Sequence, residues 1–233
     1  MRLFCLPFAG GGASMFRTWG KALPPTIEVC PVQLPGREER LADPPYTDLR
    51  ALAESLAVQL QPYVQKPFAL FGHSVGALLA FELTTSLRRQ SGPMPLVLYL
   101  SAHRAPHLPL RRKPLYQLPD AEFLQGVRAM GGTPAAVFES KAVLDLVLPA
   151  LRADFTALDT YRFVPEAPLD CPLVLYAGLK DTEVSPQDVE TWQEYTTRTT
   201  ILRLFPGDHF FLRSDRELLL QTTAATLVQL GVY

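Results

Sequence analysis

The 233-residue sequence predicts an α/β protein with a mostly parallel central sheet and helices on both faces. Six apolar runs of strand length, at 2–8, 28–34, 68–72, 95–102, 172–178 and 199–205, are bounded by Pro, Gly or polar clusters and do not alternate, the pattern of strands covered on both faces. Helix-length amphipathic segments lie between several of them, as parallel crossovers require. Length and a 48% hydrophobic composition suit one domain over 1–233 with a substantial core.

The first run stops at Pro7 and opens into Gly10, Gly11 and Gly12, so something must pass close to bare backbone there. Residues 48–61, DLRALAESLAVQLQ, offer Asp48 as a cap and place Leu49, Leu52, Leu56 and Leu60 near helical spacing. The segments 76–90, 186–196 and 214–230 also read as helices. Between about 103 and 168 no strand pattern occurs; two helical patterns, about 119–130 and about 142–159, mark an insertion that can cover a site. In the second, Leu144, Leu148, Leu151, Phe155 and Leu158 share one face, and Pro149 predicts a kink or a new helix start.

Charge narrows the partners. The 22 Lys and Arg nearly cancel the 23 Asp and Glu, leaving a net charge of -1, without the basic excess of a nucleic-acid binder. No apolar stretch approaches the roughly 20 residues of a membrane span and no signal-peptide pattern opens the chain, so a cytoplasmic protein is expected, with a monomer as the default state. Cys5, Cys30 and Cys171 are odd in number and lie in or beside apolar runs, which reads as small buried hydrophobes; the four histidines show no ligand spacing, so no metal is expected.

The chemistry is carried by Gly72-His73-Ser74-Val75-Gly76, a G-x-S-x-G delivered by an apolar run and followed by the helix-forming ALLAFELTTSLRR. A serine on a sharp strand-to-helix turn needs small neighbours, and the helix N-terminus that follows favours an oxyanion beside it. Serine needs a base within hydrogen-bond reach, and the base needs an orienting group. His209, late in LFPGDHFFL, follows the last strand run and is the expected base; His73, His103 and His107 read as structural or surface residues. For the acid, Asp181 lies beyond the 172–178 run, Glu183 is its nearest rival, and Asp208 is too close to His209 in sequence to turn back on its ring. Backbone amides of Val75 and Ala9 are the expected oxyanion donors. A phosphate cradle is the competing use of FAGGGAS, which matches neither a dinucleotide fingerprint nor a P-loop with its Lys.

Taken together, LFCLPFAGGGAS at 3–14, QLPGREER at 33–40, LFGHSVGALLAFEL at 70–83, LPALRADFTALDTY at 148–161, the glycine-to-acid loop at 178–184 and FPGDHFFL at 205–212 resemble the type II thioesterases that accompany nonribosomal peptide and polyketide synthetases. The resemblance runs nearly end to end. It implies an α/β-hydrolase with a helical lid, a Ser74–Asp181–His209 triad, and an oxyanion hole from Ala9 and Val75. It also implies the substrate, an acyl thioester on the phosphopantetheine arm of an acyl or peptidyl carrier protein, with no cofactor of the enzyme's own. Val75 stands where Met is more usual, Phe8 where an aromatic or His varies, and Asp208 where a second Gly is frequent; only backbone is needed from Val75. Arg104, Arg111, Arg112 and Lys113, at the start of the insertion, could meet an acidic carrier protein or the pantetheine phosphate, or form a solvated charge run. The competing functions are a medium-chain fatty acyl-carrier-protein thioesterase, a carboxylesterase, an acyltransferase, and an inactive hydrolase-fold binding module.

Overall fold

The computed structural model describes residues 1–231. Its elements follow in order: β1 (Arg2–Leu6), β2 (Glu28–Pro31), α1 (Leu49–Leu60), β3 (Phe68–His73), α2 (Val75–Arg89), β4 (Leu98–Ser101), α3 (Asp120–Ala129), α4 (Ala135–Glu139), α5 (Lys141–Thr160), β5 (Leu173–Gly178), α6 (Pro186–Glu190), β6 (Thr200–Phe205), α7 (Phe211–Ser214) and α8 (Arg216–Gln229). The six strands form one parallel sheet in the order β2-β1-β3-β4-β5-β6.

All six apolar runs became strands. In β3 every residue is buried, and alternate side chains feed opposite layers: Phe68 and Leu70 pack with α1 and α2, Ala69 and Phe71 with Trp19 and the inner face of α8. The covering of both faces fails at one edge, where β2 has no fully buried residue, whereas the opposite edge strand, β6, still buries Ile201 and Phe205. Asp48 caps α1 as its sequence position suggests, accepting from the Ala51 amide at 2.8 Å.

Three helical expectations are modified. The segment 186–196 is split into α6 and a 3-10 turn at Thr191–Tyr195, and 214–230 into α8 with the short α7 before it. Pro149 neither stops nor restarts its helix: α5 is continuous over 20 residues. The proline lies exposed, and the turn after it is anchored by buried Ala150, Leu151, Asp154 and Phe155, whose packing offsets the one lost backbone bond. The inserted helices have a small core of their own, in which Phe123, Val127, Leu151 and Phe155 meet.

The tightest point of the fold is the turn between β3 and α2. Ser74 has φ 55 and ψ -125, a left-handed φ that costs a non-glycine residue on the order of 1–3 kcal/mol. The turn fits because both flanking positions lack a side chain. A Cβ on Gly72 would stand 2.0 Å from the Gly76 carbonyl oxygen, and one on Gly76 would stand 2.4 Å from the Leu6 carbonyl oxygen. The start of α2 is therefore pressed directly onto the end of β1. Gly76→Ala is expected to lower the melting temperature by at least about 5 °C, since the clash is with backbone that cannot step aside. Gly20→Ala, whose Cβ would meet only Val29 at 3.9 Å, should leave it nearly unchanged; equal melting of the two variants in a thermal scan would contradict this reading of the turn.

Candidate active site

The end of β3, the loop after β5 and the loop after β6 reach the same rim of the sheet because parallel strands present all their C-terminal ends on one side. Ser74 is presented there by the strained turn, with its amide fixed on the Ser101 carbonyl at 2.8 Å. His209 follows β6, and its Nε2 lies 3.0 Å from Ser74 Oγ. Its Nδ1 lies 2.7 Å from Asp181 Oδ2. The other Asp181 oxygen accepts from the amides of Glu183 and Val184 at 2.8 and 3.0 Å. A fully buried carboxylate so held can only accept from Nδ1–H, which leaves the Nε2 lone pair facing the serine hydroxyl.

Neither rival carboxylate bonds His209 among the described residues: Asp208 turns its side chain forward to accept from the Phe210 amide at 2.8 Å, and Glu183 contributes its backbone, donating its amide to Asp181 and offering its main-chain carbonyl to Arg104. Neither the Ala9 nor the Val75 amide donates a hydrogen bond within the described residues, and both residues lie near Ser74. The cleft above Ser74 is floored by Phe8, Ala9 and Phe210 and roofed by Val127, Met130, Leu151 and Phe155 from the inserted helices, an apolar chamber next to a polar line.

The basic cluster is distributed unevenly. Arg104 is buried and donates to the carbonyls of Pro109 and Glu183 at 2.7 and 2.8 Å; burial lowers its pKa. Arg112 pairs with Asp159 at 2.7 Å while its guanidinium covers the Phe155 ring, and Arg111 pairs with Asp188 at 2.8 Å. Lys113 is exposed and has no ion-pair partner among the described residues.

Two features of the site went unread in the sequence. His73, beside the nucleophile, is fully buried: its Nε2–H donates to the His209 carbonyl at 2.9 Å, so its Nδ1 accepts from the Ser101 hydroxyl at 2.8 Å. The residue before the nucleophile thereby holds the backbone of the base. The second is the use of QLPGREER. Gln33 accepts from the Ala13 amide, Glu38 accepts from the Ser14 amide and hydroxyl, and Arg37 forms a buried bidentate pair with Asp154 of α5, all around the glycine loop. Asp154 was detectable in principle, since it lies on the stripe of Leu151, Phe155 and Leu158, where a carboxylate needs a partner.

Sheet, elbow and inserted helices define an α/β-hydrolase. The chain belongs to the thioesterase domain family, whose model matches residues 1–227. It is 44% identical over 228 residues, 97% of this chain and 87% of the relative, to linear gramicidin dehydrogenase LgrE of Brevibacillus parabrevis. Among solved structures it superposes on the RedJ thioesterase of the prodiginine pathway in Streptomyces coelicolor with a TM-score of 0.91 at 41% identity, covering 97% of this chain and 89% of that one. It likewise matches the type II thioesterase BorB of the borrelidin cluster, with a TM-score of 0.88 at 37% identity over 97% and 92% of the two chains.

Burial holds both interior histidines neutral: His73 falls well below its ordinary pKa, and His103 falls to about 4. An unfolded chain takes up these protons near pH 6.5. Between that value and about 4 the unfolded state therefore binds more protons, and stability rises with pH across the window. Lowering the pH from 7 to 5 should depress the melting temperature, and His103→Gln should flatten that dependence; an equally steep profile in the variant would contradict the assignment.

Proposed function

We propose that the protein is a type II thioesterase that hydrolyses acyl groups from the phosphopantetheine arm of carrier proteins in nonribosomal peptide and polyketide assembly. The observation that carries this reading is the continuous line from Asp181 through His209 to Ser74 Oγ, with bonds of 2.7 and 3.0 Å, beside two amides left without partners. Family membership supports thioester chemistry, and the likeness to RedJ and BorB supports the assembly-line setting.

The steps follow from the geometry. Ser74 Oγ attacks the thioester carbonyl as His209 Nε2 takes its proton. Negative charge collects on the carbonyl oxygen, where the Ala9 and Val75 amides stabilise it, each contributing roughly 3–4 kcal/mol in the transition state. His209 returns the proton to the departing pantetheine thiolate. It then activates water, which releases the acid and frees Ser74. Asp181 keeps the imidazole in the one tautomer that can do both. The apolar chamber beneath the inserted helices receives the acyl chain. The solvent-facing part of the basic cluster, Lys113 with the outer edge of Arg111, is available to an acidic carrier protein. In this reading the enzyme works as a monomer in the cytoplasm, beside the synthetase it serves.

Rates on an acyl-carrier protein, an acyl-N-acetylcysteamine and a p-nitrophenyl ester, measured on one sample, test the assignment. The carrier-bound thioester should be the best substrate, and Ser74→Ala should abolish turnover of all three while melting like the parent. Near-normal hydrolysis by that variant, or a clear preference for the ester, would overturn it.

A further inference from the structure

The loop that supplies Ala9 is gripped by an ion pair outside the proton-relay line. Arg37 Nη1 and Nη2 lie 2.7 and 2.8 Å from the two oxygens of Asp154, and both side chains are 9% exposed. Asp154 Oδ2 also accepts the Gly10 amide at 2.7 Å, and Arg37 Nη1 also donates to the Gly11 carbonyl at 3.2 Å. One pair thus fixes an N–H and a C=O on the two residues that follow Ala9. Gly10 has φ 74, and a Cβ there would stand 2.7 Å from Leu151 Cδ1, so α5 rests directly on this backbone. At Gly12, whose backbone is ordinary extended, a Cβ would fall 2.2 Å from a Glu38 carboxylate oxygen, so the carboxylate that holds Ser14 would have to shift.

We propose that Arg37 and Asp154 are positioning residues that set the direction of the Ala9 amide, making stabilisation of the oxyanion depend on α5 being seated over the site. Stability alone does not account for the pair. Burying two charges offsets most of their attraction, and an apolar pair of similar shape would hold the elements together as well. An apolar pair could not accept the Gly10 N–H or donate to the Gly11 carbonyl. Asp154 belongs to the inserted helices and Arg37 to the loop after β2, so displacing α5 removes the acceptor from Gly10 and releases the peptide next to the oxyanion donor. A chamber opened to admit or release an acyl chain would then be a poor catalyst until it closes.

This inference rests on the serine-hydrolase reading, which wild-type hydrolysis of acyl-N-acetylcysteamine and its loss in Ser74→Ala test separately. The variant Arg37→Met/Asp154→Leu replaces the pair by apolar groups. It should melt within a few degrees of the parent yet lose about 100-fold in kcat, with KM changed by less than about threefold, as expected when a transition-state contact is removed. A trifluoromethyl ketone, which forms an oxyanion on Ser74, should bind about 100-fold more weakly, while an unreactive thioether analogue binds as before. The pH profile of kcat/KM should keep its shape, because the Ser74–His209–Asp181 line is untouched. The charge-swapped Arg37→Asp/Asp154→Arg restores an ion pair but turns a donor toward the Gly10 N–H, so its kcat should stay low. Wild-type kcat in either variant, or parallel losses of ketone and thioether affinity, would overturn the proposal.

Discussion

The contact of α2 with the end of β1, made backbone to backbone at Gly76, is the constraint on which the site depends. It forces Ser74 into a left-handed conformation and lifts its hydroxyl off the sheet. It also brings the first amide of α2 beside the loop that leaves β1, so two donors separated by 66 positions in the chain come to face one carbonyl oxygen. A side chain at either flanking glycine would separate nucleophile and oxyanion site together.

Around that point each reactive group is held from behind by backbone or by a buried polar partner. Asp181 is saturated by two amides of its own loop, His209 is oriented at Nδ1 by Asp181, and the His209 backbone is tied to His73. The glycine loop is held on one side by Gln33, Arg37 and Glu38 and on the other by α5. Such preorganisation matters because a donor already aimed at the developing charge needs no rearrangement when the charge appears.

Much of this could be read from the chain, and the limits have physical causes. Strand runs and G-x-S-x-G are local signals: the strands are buried enough to lose alternation, and the elbow demands small residues at fixed offsets. His209 and Asp181 were legible because each lies just past the end of a strand run, and parallel topology makes such ends converge. Glu183 stays a rival in the sequence because two positions' separation says nothing about orientation; the structure gives the bond to His209 Nδ1 to Asp181. The three glycines announce that something passes close to bare backbone but not what: at Gly10 and Gly12 it is Leu151 and Glu38, partners 141 and 26 residues away that no local pattern identifies. Pro149 signals a kink or a new helix start, and the new start does not occur because local propensity cannot see the tertiary packing that carries α5 through it. The arginines at 104, 111 and 112 read as one surface cluster, yet each finds an internal partner once the chain folds.

Acid-quenching a running reaction with an acyl-N-acetylcysteamine and locating the acyl mass by peptide mapping tests the central claim most directly. The account predicts a transient acyl ester on the peptide bearing Ser74 and no turnover once that serine is stoichiometrically phosphonylated. An acyl group found on another residue, or hydrolysis that survives complete modification of Ser74, would contradict it.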